Sequence, residues 1–154
     1  MVLEWAVFML EPGKTTMKTN NKKISIIGYG PQAKLVIKFL KNIKDVDLHF
    51  ILVKKNREIP NRKETSSIKN LLDSKIIYTC VPPKENYNII KKLYKMKYKN
   101  YIISEKPVCD QLNQLKKILK FKKNFKEKIF VNFNFPFTKL AKLLNFHMSK
   151  KING

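Results

Sequence analysis

The feature that most restricts the fold of this chain is a repeated alternation. From Lys23 onward, short runs of β-branched apolar residues are separated by segments whose apolar residues recur with helical spacing. Runs at 24–27, 48–53, 76–81, 101–104 and 129–134 read as strands, and their nearly continuous apolar character suits strands covered on both faces. Between them Ala33, Val36, Ile37 and Leu40 fall at i, i+3, i+4 and i+7, the pattern of a helix packing one side on a sheet. Ile89, Ile90, Leu93 and Met96 mark a second helix, and Leu112, Leu115, Ile118 and Leu119 a third, with Asp110 as its expected N-cap. A shorter helical segment is expected at 67–72, and Leu140, Ala141, Leu144 and Met148 give an amphipathic helix after the last strand. Strands alternating with helices predict an α/β fold: a doubly wound, mostly parallel sheet with helices on both faces.

At 154 residues, with 44% hydrophobic residues, the chain is long enough for one domain with a sizeable core. No stretch approaches the roughly 18 consecutive apolar residues of a membrane span, so a soluble protein with no membrane partner is expected. A formal charge of +22 raises nucleic acid as a partner. Against it, only Arg57 and Arg62 among the 33 basic residues carry the bidentate guanidinium that phosphate and base-edge readers favour, and the lysines are spread along the whole chain. Cys80 and Cys109 lack metal-ligand or disulfide-framework spacing, which fits a reducing cytoplasm. The opening "MVLEWAVFML" has neither a basic n-region nor a small-residue cleavage site, and Met17 is a second candidate start. "PGKTT" at 12–16 imitates the end of a P-loop, but Phe8 stands where its first glycine is required.

The chemistry concentrates at three junctions. In "ISIIGYGPQA", Gly28 and Gly30 follow a strand and precede a helix, with Ala33 at the third small position of a G-x-G-x-x-G/A fingerprint and Tyr29 and Gln32 within the turn. Gly28 permits the tight turn and Gly30 a close backbone approach by a diphosphate. Pro31 suits the first helical turn, where its missing N–H costs little, and the helix dipole favours the anion. A purely structural turn is the competing reading. After the second strand, Lys54 and Lys55 stand where a carboxylate would hold a ribose 2′-hydroxyl and a cation a 2′-phosphate, which leans toward NADP over NAD. The third strand ends at Thr79, Pro82 and Pro83, with Asn86 in the next helical turn; a rigid connector is the plain alternative. The fourth runs into Glu105, Lys106 and Pro107, on the same sheet edge, where a lysine paired with a carboxylate is placed to move a substrate's proton as hydride leaves.

"GYGPQA", "TCVPP" and above all "SEKPVCD" resemble the Gfo/Idh/MocA family of glucose-fructose oxidoreductases and inositol dehydrogenases, from about Lys22 to the C-terminus. The resemblance implies a Rossmann domain that binds NAD(P) and a role in sugar or cyclitol oxidoreduction. It further implies that Lys106 is catalytic beside the nicotinamide, that Glu105 lies near the nicotinamide ribose, that Thr79, Pro82 and Asn86 line the cofactor, and that Lys106–Pro107 is a cis peptide. Asn86 stands where many members have histidine, and Pro136 where an arginine is common. Residues 1–21 are then an extension, 22–136 the dinucleotide-binding domain, and 137–154 a helix leading toward a second domain. Family members exceed twice this length, with a catalytic aspartate and histidine in that second domain, for which neither His49 nor His147 substitutes. The chain is therefore expected to be a truncated member, incomplete as a catalyst and prone to self-association through its last helix. The alternatives are a non-catalytic interaction module and a basic nucleic-acid-binding protein.

Overall fold

The computed structural model describes residues 22–43, 46–53 and 64–132; all but Asn132 belong to the unit Thr16–Val131. Among them are strands β1 (Lys22–Ile27), β2 (Val46–Leu52), β3 (Glu64–Thr65), β4 (Ile76–Thr79), β5 (Tyr101–Glu105) and β6 (Ile129–Asn132). They form one sheet in the order β3-β2-β1-β4-β5-β6, and the pairings from β3 across to β5 are parallel. Parallel neighbours need crossovers, which α1 (Pro31–Leu40) supplies between β1 and β2 and α2 (Pro83–Lys95) between β4 and β5. Helix α3 (Leu112–Leu119) and the one-turn α4 (Lys123–Lys126) precede β6. The strand order reverses direction at β1 and β4, so the crevice for a ligand lies beyond their carboxyl ends.

Residue alternation sends neighbours to opposite faces. Ile27, Ile77 and Ile102 point to the face where Ile90 and Leu93 of α2 meet Ile68, Leu71, Tyr98 and Phe125. Each fully buried isoleucine or leucine here contributes about 1.5–3 kcal/mol. Ile26 and Tyr78, paired in register, take the other face, and α1 buries Ala33, Val36, Ile37 and Leu40 as its spacing predicts. Beneath the strands, the Ser25 and Ser74 hydroxyls pair at 2.7 Å, and the buried Tyr98 hydroxyl donates to the Ser74 carbonyl at 2.8 Å.

Several local expectations change. Asp110 does not cap α3: Gln111 is its N-cap and offers no side-chain bond, because the Gln111 carbonyl accepts the first helical bonds from Gln114 and Leu115 at 3.0 and 3.2 Å. The segment at 67–72 is a 3-10 turn, Ile68–Leu71, held by Thr65 Oγ1, which accepts from Ser67 N at 3.0 Å and Asn70 Nδ2 at 2.8 Å. Glu64–Thr65, outside every run read as a strand, pairs in parallel with β2. In α2 the buried stripe is Asn86, Tyr87, Ile90 and Leu93, leaving Ile89 and Met96 half-buried. Helix α4 is too short to show a period; its Phe125 packs edge-on against Tyr94 at 5.0 Å, and Phe121 stacks on Tyr94 at 4.2 Å. The expected N-terminal extension and the helix carrying Leu140, Leu144, His147 and Met148 lie outside the described residues.

Candidate functional site

The two glycines of the first turn answer to different demands. Gly28 has φ +100°, and a Cβ there would lie 2.3 Å from the Cys80 carbonyl oxygen, because the β4 chain passes directly beside it. Its N–H donates to the Leu52 carbonyl at 2.9 Å, and Cys80 N donates to the Ile27 carbonyl at 2.8 Å, so the turn continues both ladders. Gly30 is different. It is the N-cap of α1 with an ordinary φ of −77°, and among the described residues a Cβ on it would meet nothing within 4 Å.

Nothing among the described residues requires Gly30 to lack a side chain, whereas the close approach of an external backbone-contacting group would. Pro31 opens α1, no side chain caps it, and its first turn carries no acidic residue. The positive end of the helix dipole thus faces that open space. Lys34 places its Nζ 5.2 Å from the Tyr29 ring centroid, adding a cation one turn in. Open space over Gly30 and an uncapped helix start fit the diphosphate of a dinucleotide.

At the end of β5, consecutive residues are held from opposite sides of the sheet. The Glu105 carboxylate accepts from Gln32 Nε2 of α1 at 3.2 Å and, through the same oxygen, from the Tyr78 hydroxyl of β4. The Ser104 hydroxyl, on the other face, accepts from Asn86 Nδ2 of α2 at 2.6 Å. Beyond them the chain turns through Lys106 and Pro107, both exposed, and the Lys106–Pro107 peptide is cis.

The structure therefore gathers Gly28, Tyr29, Gly30, Pro31, Gln32, Thr79, Pro82, Asn86, Glu105 and Lys106 at the carboxyl ends of β1, β4 and β5. Lys54 and Lys55 lie outside the described residues. Their exposures differ. Pro82 is exposed and is the N-cap of α2, its carbonyl accepting from Asn86 N at 2.9 Å. Thr79 and Asn86 are 0% and 1% exposed, and both amide protons of the Asn86 carboxamide are directed at internal acceptors, Ser104 Oγ and the Val108 carbonyl.

Three contributors were not singled out from the sequence: Tyr78, Ser104 and Cys80. A strand tyrosine and serine carry no motif, and only the register that sets Tyr78 beside Ile103 brings its hydroxyl to Glu105. Burial, and then the Glu105 carboxylate, push the Cys80 thiol up from 9.0 to about 12. It therefore stays protonated, unsuited to nucleophilic chemistry. His49 sits half-buried in β2, edge-on to Phe50 at 4.4 Å. Among the described residues no group of His, Cys, Asp or Glu is arranged for a metal ion, and no helix is long and apolar enough to cross a membrane.

No curated protein matches the sequence closely enough to count as a relative. Solved structures do share the fold. YvaA from Bacillus subtilis, described as an oxidoreductase, superposes with a TM-score of 0.67 at 14% identity, over 88% of this chain and 41% of its own. An oxidoreductase from Bacillus cereus gives 0.57 at 24% identity, over 71% of this chain and 33% of its own. A protein named D-galactose-1-dehydrogenase from Rhizobium etli gives 0.55 at 15% identity, over 67% and 34%. The chain thus spans between a third and about two fifths of these structures. Residues 22–133 match the Gfo/Idh/MocA family, described as an oxidoreductase family with an NAD-binding Rossmann fold. Because that match spans most of the chain and agrees with the strand order and the glycine turn, this protein belongs to the Gfo/Idh/MocA oxidoreductases, whose NAD-binding Rossmann fold its residues 22–133 form.

Proposed function

We propose that the chain binds NADP in preference to NAD along the carboxyl edge of its sheet, and that Lys106 moves the proton when hydride is exchanged with a hydroxyl or keto group of a sugar or cyclitol. The observation that carries this reading is the open space that the described residues leave around Gly30 at the uncapped start of α1, beside a Gly28 that the fold itself demands. The nicotinamide, when bound, supplies the hydride chemistry. The chain's own groups do the rest: the α1 amides and dipole hold the diphosphate, and Lys106 exchanges a proton with the substrate oxygen.

Lys54 and Lys55 favour a 2′-phosphate by charge. The likeness to a protein named D-galactose-1-dehydrogenase supports a sugar as the substrate class. Fluorescence titration with NADPH and NADH tests the binding. NADPH should bind more tightly, and Lys54→Asp should reverse the order; no binding of either overturns the reading, and equal affinities untouched by Lys54→Asp remove the NADP preference.

A further inference from the structure

We propose that Asn86 is a positioning residue for Lys106: one buried carboxamide holds the chain on both sides of the Lys106–Pro107 turn. Asn86 lies in the first turn of α2 and is 1% exposed. Its Nδ2 donates to Ser104 Oγ at 2.6 Å and to the Val108 carbonyl at 3.0 Å. The Val108 carbonyl only accepts, so the nitrogen end of the carboxamide must face it. Ser104 Oγ, having accepted that proton, gives its own to the Glu105 carbonyl at 2.9 Å. The carbonyls of Glu105 and Val108, which bracket Lys106 and Pro107, are therefore both tied to Asn86, one directly and one through a hydroxyl.

The anchor is itself rigid. Asn86 N is bonded to the Pro82 carbonyl, and Tyr87, Ile90 and Leu93 bury the helix that carries it. No loop intervenes between the core and the turn that presents Lys106. The two bonds also explain why a polar residue occupies a buried position on a helix stripe that is otherwise apolar or aromatic. What Lys106 does once positioned rests on the function proposed above; the latch does not.

Amide hydrogen exchange on the whole chain tests it, with Asn86→Leu, which keeps the volume and removes both donors, and Ser104→Ala, which removes one link. Peptides covering 105–110 should exchange about tenfold faster in Asn86→Leu, while those of β1 and α1 hold their rates, and Ser104→Ala should fall between. In Asn86→Leu the extra affinity of NADH over ADP-ribose should be lost. Unchanged exchange at 105–110, or an increase spread evenly over the sheet, overturns the latch. If Asn86→Leu does not melt cooperatively, Ser104→Ala decides: local loosening at 105–110 supports the latch and none overturns it. Wild type binding neither NADH nor ADP-ribose would remove the proposed function, while the exchange comparison would still decide the latch.

Discussion

Gln32 in the first turn of α1 donates a 3.2 Å hydrogen bond to the Glu105 carboxylate at the end of β5, 73 residues later. The glycine turn and the Glu-Lys-Pro turn are thereby joined, and Tyr78 donates to the same oxygen from the strand between. Glu105→Ala removes an acceptor shared by two donors and should cost about 1–3 kcal/mol in urea denaturation. In a double-mutant cycle, Gln32→Ala and Glu105→Ala should couple by about 0.5 kcal/mol or more. Strict additivity would mean that the contact carries no energy.

The sheet, its two crossover helices and the cluster of turns were legible because each rests on a local pattern: β-branched runs, apolar spacing in α1, and glycine or proline at strand ends. The pattern failed where pairing or length decides. Glu64–Thr65 is a strand only because β2 lies beside it, and α4 is one turn whose burial depends on Tyr94 and Phe121. In the site, glycines and the Glu-Lys-Pro trio were visible as motifs. The partners that hold them were not, because Tyr78 reaches Glu105 and Asn86 reaches Val108 only through tertiary register.

Two acidic protons, on the half-buried Cys80 and the buried Tyr98, set an alkaline limit. Cys80 is raised to about 12, by burial and then by Glu105. Burial likewise pushes the Tyr98 hydroxyl above its ordinary value. Groups whose folded pKa is raised contribute stability that is complete below their unfolded values and is lost as pH rises toward the folded ones. Thermal stability should therefore hold from neutrality to about pH 8.5 and fall through pH 9–12. Tyr98→Phe and Cys80→Ala should each flatten that fall when melting is followed against pH. A slope unchanged in the double variant would place its origin elsewhere.

Lys106 is exposed, on a turn fixed by its neighbours rather than by its own side chain. Lys106→Met should leave stability within about 0.5 kcal/mol of wild type by denaturant titration. If the ammonium is the proton-transfer group, turnover of a sugar substrate should drop about 10²–10⁴-fold. Intact turnover in the variant would reduce Lys106 to a solvated surface lysine.

Gly28 and Gly30 offer the sharpest separation of folding from binding. Gly28→Ala forces a side chain onto a φ of +100° and sets its Cβ 2.3 Å from the backbone carbonyl oxygen of Cys80. Positive-φ strain alone costs about 1–3 kcal/mol. With the clash added, a large share of the roughly 5–15 kcal/mol that holds a domain folded should be lost. Gly30→Ala adds a methyl to open space at an ordinary φ. Its stability should stay within about 1 kcal/mol, the small loss of replacing glycine at an N-cap being offset by a stiffer unfolded chain. Yet the same methyl occupies the approach to the α1 amides, so dinucleotide affinity should weaken about tenfold or more, equivalent to about 1.4 kcal/mol. Melting temperature and NADPH titration on the two variants separate these effects. A Gly30→Ala protein that binds NADPH as wild type does would show that the diphosphate does not seat over this turn.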